Sequence, residues 1–195
     1  MTEASDQAFA YCQYFCEENI WQLCAHPRVA GAERWVLFIS NPAKRVAMWG
    51  QRAADDPTRP IVWDYHVVLL LRRGVQPWQV WDLDARDPDP RDAMEWLTDS
   101  FQAGGLFPPI YAPRFRLLRA SEYRSHLRSD RRHMRRPDGT LEQPEPPWPV
   151  IMGEPPACAP IDDGSNLARF IDTEDPEFLG TRFDLGALAR WLEAI

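Results

Sequence analysis

A thiol, an imidazole and a carboxylate suffice for nucleophilic attack on an amide, provided the thiol can ionise and the ring is held in one tautomer. Cys16, His66 and Asp82 are candidates for those roles in this chain. Cys16 stands where a helix should begin, and a helix N-terminus together with a protonated histidine lowers a thiol pKa from about 8.5 to about 3.5–7.5. The adjacent Glu17 and Glu18 oppose ionisation if they point at the sulfur, so the role requires them to point elsewhere. Taken alone, Cys16 also fits a small buried hydrophobe, the reading that suits Cys12 and Cys24 better.

His66 lies within an apolar strand, where a lone histidine is ordinarily a satisfied structural residue. A hairpin gives it a specific partner. If the turn is centred on Gly74, positions equidistant from it pair across the strands, which sets His66 opposite Asp82. Directly opposed side chains have Cβ atoms roughly 4.5–5.5 Å apart on one face, close enough for a carboxylate to hold a histidine tautomer. A one-residue bulge would send the two to opposite faces. The same register sets Asp64 opposite Asp84, an unfavourable pair unless a cation or a substrate amine lies between them.

Several elements must position these groups. Apolar residues at helical spacing predict a helix over 14–25, ended by His26-Pro27, and strands follow over 34–40 and 46–49, with the turn-forming Asn41-Pro42 between them. Residues 61–72 read as one strand, with Val62, Asp64, His66 and Val68 on one face and Trp63, Tyr65, Val67 and Leu69 on the other. Its hairpin partner is 78–83. A helix near 92–101, a strand over 115–119 and a short helix over 121–130 come next. Eight prolines between Pro137 and Pro160 exclude regular helix or central strand. Trp148, Val150 and Ile151 offer apolar anchors for this segment as an ordered wrap across the surface. Closing helices are expected over 166–171 and 184–195, the last capped by Asp184.

The chain has 195 residues, 45% hydrophobic and 26% charged, the balance of one globular domain. With 22 Lys and Arg against 29 Asp and Glu, its net charge of −7 argues against coating nucleic acid through bulk charge. Nine of the arginines lie between Arg114 and Arg136 against only Glu122 and Asp130, a pattern expected of a solvated face or of ion-pair partners for the acidic remainder. No apolar run approaches the roughly 18 residues of a membrane helix. The first residues lack the pattern of a signal peptide, so a cytoplasmic location is expected. Four cysteines unevenly placed predict free thiols. Neither a paired Cys/His spacing for a metal nor a glycine-rich phosphate loop is present, so no metal and no cofactor is expected.

CEENIW (Cys16 to Trp21), VWDYHVVLL (Val62 to Leu70), WDLD (Trp81 to Asp84) and SDRRHM (Ser129 to Met134) resemble the signature blocks of the protein N-terminal glutamine amidohydrolase family. They come in the family's order and at similar separations, and EPPWP (Glu145 to Pro149) also has a counterpart. Arg132 stands where relatives tend to have a small polar residue. The resemblance implies Cys16 as nucleophile, His66 as general base and acid, and Asp82 as orienter, the same pair the hairpin arithmetic yields. It implies an α+β fold of α-β-α layers, similar to the papain and transglutaminase group, with a mainly antiparallel sheet packed by helices and the cysteine at a helix N-terminus. It further implies hydrolysis of an N-terminal glutamine side chain to glutamate and ammonia, which would feed a terminus-dependent degradation route. The expected partners are proteins or peptides beginning with Gln, bound by a single-domain monomer, without nucleic acid or membrane. Binding a free α-amine calls for a carboxylate at the pocket mouth, for which Glu18, Asp64 and Asp130 are candidates. The alternatives are another thiol hydrolase or acyl transferase on the same scaffold, such as a peptidase or transglutaminase-like enzyme, or a non-catalytic interaction module.

Overall fold

Strands buried on both faces read as unbroken apolar runs, and two such runs form the centre of a six-stranded antiparallel sheet. The computed structural model describes residues 9–88, 90–101, 108–158 and 164–194. Its elements are α1 (Cys16–Leu23), β1 (Glu33–Ser40), β2 (Val46–Met48), β3 (Ile61–Trp63), β4 (His66–Arg72), β5 (Gln79–Trp81), β6 (Arg91–Asp92), α2 (Ala93–Phe101), β7 (Arg114–Arg119), α3 (Ala120–His126), β8 (Arg128–Ser129), β9 (Ile151–Met152), α4 (Leu167–Ile171), β10 (Thr181–Asp184) and α5 (Leu185–Glu193). The main sheet has the order β10-β7-β1-β4-β5-β6.

Period-two alternation sorts the strand residues onto two cores. Val36, Phe38, Val67 and Leu69 pack with Ile20 and Leu23 of α1, Tyr123 of α3 and Phe170 of α4. Leu37, Ile39, Val68 and Leu70 pack on the other face with Trp96 of α2 and Leu188 and Leu192 of α5. The result is an α+β protein with helices on both faces of a mainly antiparallel sheet. Among the described residues no helix is long and apolar enough to cross a membrane.

Two expectations about strands are corrected. Residues 61–72 are two strands, because the chain turns at Asp64-Tyr65: β3 pairs with β2 in a separate two-stranded sheet, whereas β4 enters the main one. The Asp64 carboxylate accepts from the Tyr65 N–H at 2.8 Å and its carbonyl accepts from Ser40 Oγ at 2.7 Å, which holds the turn. The break resets the alternation, so Trp63 lies with the His66 face and its ring stacks on the imidazole at 5.5 Å and 12°. The hairpin register also differs. Leu69 pairs with Trp81, two residues beyond the Gln79 that a turn centred on Gly74 would give it. A slip of two conserves the faces, so Asp82 stays on the His66 side as a diagonal neighbour.

Of the nine arginines in the Arg114–Arg136 stretch, Arg114, Arg119, Arg132, Arg135 and Arg136 are exposed, as on a solvated face, whereas Arg116 and Arg131 are internal. Arg116, fully buried, donates to the carbonyls of Asp172, Asp175, Phe178 and Leu179, fastening the loop ahead of β10 to β7. Arg131, in a left-handed conformation, grips Glu18 through two hydrogen bonds of 2.9 and 2.8 Å. Trp148 of the Pro-rich segment donates to the same carboxylate at 2.7 Å, while Ile151 is buried and Val150 is exposed. Residues 159–160 of that segment and residue 195 of the last expected helix lie outside the described residues.

Removing one partner of such a pair strands the other charge in the interior. Arg131→Ala is therefore expected to cost about 3–5 kcal/mol, read as a lower urea midpoint. A loss under about 1 kcal/mol, the worth of a surface pair, would show that Glu18 finds other donors.

Candidate functional site

α1 begins at Cys16, with no side-chain cap at Phe15 and with Tyr14 before it at φ 72°. The first amides of the helix are therefore left without a side-chain cap at the end where the sulfur sits. Cys16 opens on a cavity of about 740 Å³ that is also lined by Trp63, Asp64, His66, Asp84 and His133. That volume falls in the usual range of small-ligand sites, about 300–1,000 Å³.

Behind the cavity wall, His66 Nε2 and Asp82 Oδ1 are 2.8 Å apart, both side chains almost wholly buried. A carboxylate can only accept, so the proton of that bond sits on Nε2 and leaves Nδ1 as the basic nitrogen. Asp82 Oδ2 accepts from Gln51 Nε2 at 2.8 Å and from Trp96 Nε1 at 3.3 Å, and Oδ1 from the Asp84 N–H at 3.1 Å. Burial disfavours the charged imidazole, but the Asp82 carboxylate outweighs it, and the His66 pKa stands above its ordinary value. Burial pushes Asp82 the other way from its partners; His66, Gln51 and the Asp84 amide prevail and hold it below the carboxylate range.

The thiol is set differently from the sequence expectation. Glu18 does point away, into Arg131 and Trp148. Glu17 does not: its Oε2 lies 3.9 Å from Cys16 Sγ. Burial, then Glu17 and Asp84, push the thiol pKa well above its ordinary value, with Asp64 adding to them, while the Val67 N–H pulls it down. Glu17 is itself fully buried and is shared by Tyr65, whose hydroxyl donates to Oε2 at 2.9 Å, and by His133, whose Nε2 is 3.3 Å from Oε1. Burial works against a charged His133, yet Glu17 prevails and raises its pKa.

The expected amine-binding residues separate. Asp64 lines the cavity. Glu18 is wholly buried with both oxygens engaged, and Asp130 is chelated by Arg132 at 2.9 Å and 2.5 Å; neither lines the cavity. Asp84 does, on the wall with Asp64, and its Oδ1 accepts from Tyr11 at 2.5 Å. No ladder joins Asp64 and Asp84; the cavity does. Sequence reasoning assigned no role to Glu17, Tyr65, His133, Gln51 or Trp96. His133 lay inside a quoted block, the one signal that could have raised it. Among the described residues no three His, Cys, Asp or Glu side chains converge to hold a metal ion.

The profile of a family described as N-terminal glutamine amidase matches residues 11–191. Among curated proteins, the chain is similar to the protein N-terminal glutamine amidohydrolase of Drosophila melanogaster, 34% identical over 152 residues that span 76% of this chain and 73% of that one. The proteins of the same name from Drosophila ananassae and Drosophila grimshawi are each 33% identical over 147 residues, spanning 73% of this chain and 72% of theirs.

Proposed function

Because the chain belongs to the N-terminal glutamine amidase family, we propose that it hydrolyses the side-chain amide of an N-terminal glutamine on a protein or peptide, giving glutamate and ammonia. The observation that carries this reading is the single cavity shared by Cys16, His66, Asp64 and Asp84, with Asp82 fastened to the imidazole behind it. Helices on both faces of an antiparallel sheet, with the cysteine at a helix start and the histidine on a central strand, support a papain and transglutaminase-like arrangement. The catalytic unit in this reading is one domain acting as a monomer.

The resting thiol is neutral and His66 Nδ1 is its base. As Cys16 Sγ attacks the amide carbon, its proton passes to Nδ1. The tetrahedral oxyanion is met by the Cys16 N–H, a donor of a kind typically worth about 2.7–4 kcal/mol of barrier. His66 returns the proton to the departing ammonia, which leaves a thioester, and then deprotonates the water that cleaves it. The substrate's own charge assists the first step. An α-ammonium seated between Asp64 and Asp84 cancels two of the carboxylates that hold the thiol protonated, so recognition of the chain terminus and activation of the nucleophile become one event.

Peptides beginning with Gln, acetyl-Gln and Asn test the reading by ammonia release and by the mass gain of amide to acid. Gln should react and acetyl-Gln should lose at least about a hundredfold in kcat/KM, the scale of about 3 kcal/mol for a buried charge left unpaired. Equal turnover of all three would remove the amine site, and turnover of none would remove the function.

A further inference from the structure

Beside the catalytic cavity lies a second one of about 380 Å³ whose wall is partly the same: Lys44, Ala168 and Ile171 line both. A chain leaving the first cavity over these residues enters the second directly. The two sides of this groove are fixed before anything binds. On one side Asn41, itself buried, donates through Nδ2 to the carbonyls of Arg45, Ile110 and Ala112 at 2.8, 2.9 and 3.0 Å, and its carbonyl accepts from the Lys44 N–H at 2.8 Å. On the other side Arg116 holds the carbonyl of Asp172 at 2.9 Å, Arg182 holds that of Glu174 at 2.6 Å, and the Asp172 carboxylate accepts from the Glu174 N–H at 2.8 Å.

Thr173 lines the groove and is only 6% exposed. Glu174 is exposed on the same wall beside Asp172, so the outer groove is acidic, whereas Lys44 marks the junction with the catalytic cavity.

We infer that this groove, bounded by Lys44 on one side and Thr173 and Glu174 on the other, is a subsite for the substrate's polypeptide chain downstream of its glutamine, and that it favours a basic side chain there. The inference rests on the proposed deamidation. It makes the enzyme a reader of several residues rather than of one terminal residue.

The experiment uses the full chain and Gln-initiated peptides of two to six residues, with Lys or Glu placed in turn at positions three to five. kcat/KM should rise several-fold with length beyond the dipeptide, through KM and not kcat. At one of the positions Lys should be preferred over Glu by about threefold, the scale of an exposed ion pair. In Glu174→Lys the Lys-to-Glu ratio at that position should fall below one. Constant kcat/KM across lengths, or a Lys-to-Glu ratio unmoved in Glu174→Lys, would overturn the subsite while deamidation itself stands. Failure of every peptide to react would overturn the deamidation on which it rests.

Discussion

Cys16→Ala is expected to remain folded and to release no measurable ammonia from a Gln-initiated peptide, a loss on the order of 10⁶ by comparison with removal of the nucleophile from a serine protease. The fold should survive because the thiol faces the cavity at the first position of α1, and alanine is the best helix former. The core side of that helix is carried by Ile20 and Leu23, which the substitution leaves in place. Removing the sulfur takes from Glu17 Oε2 only a long 3.9 Å thiol contact, and Tyr65 still donates to that oxygen at 2.9 Å. Urea midpoint and far-ultraviolet circular dichroism check the first half of the expectation, and single-turnover ammonia release checks the second. Rapid quenching of the unsubstituted protein should trap peptide on residue 16 as a thioester. Turnover retained within about a hundredfold would move the nucleophile to another group, and Cys12, half-buried seven positions before Asn19 and held to it by its backbone, is the thiol to examine next.

What could be read in advance was whatever is written locally. The start of α1 at Cys16, the buried run of β4 and the Asp184 cap of α5, whose carboxylate accepts from the Ala187 N–H at 2.8 Å, follow from periodicity and capping chemistry alone. The pairing of His66 with Asp82 was also legible, for a reason that tolerates error. Face alternation has period two, so a register mistaken by two residues still brings the right side chains to one side. The turn at Asp64-Tyr65 was not legible. β-branched and aromatic residues flank it on both sides of Asp64, and what breaks the strand is a hydroxyl from Ser40, distant in sequence, together with a separate partner strand for Ile61–Trp63. Glu17 shows the same limit. Sequence alone demanded that it avoid the sulfur. Instead a tyrosine 48 residues away and a histidine from the arginine-rich segment take up its charge, allowing a buried carboxylate to stand beside the thiol. Short β10, whose exposed residues carry no apolar alternation, gave no strand signal either.

Asp82→Asn should keep the shape of the site and remove its charge, and two separable effects are expected. The first is a fall in kcat/KM of up to about 10⁴, as in a serine protease whose aspartate is replaced by asparagine. Asp82 now accepts the His66 Nε2–H; an amide can offer that nitrogen an N–H instead, which favours the tautomer with its proton on Nδ1, where it can no longer receive the thiol's. Gln51, Trp96 and the Asp84 amide all donate to this carboxylate, so the substituted amide nitrogen also meets donors where an acceptor stood. The second effect lies in the pH profile. Catalysis needs neutral His66, so activity in the unsubstituted protein rises as pH climbs through a histidine pKa held above its ordinary value by Asp82. With that carboxylate gone, only the smaller influence of Asp84 opposes the burial that disfavours the imidazolium, and the acidic limb of residual kcat/KM must move to lower pH. Measured on a Gln-initiated peptide, an unchanged rate would mean that some other group orients the ring. A reduced rate with an unmoved acidic limb would mean that Asp82 positions His66 without governing its charge, and the group titrating in that limb would have to be sought at His133.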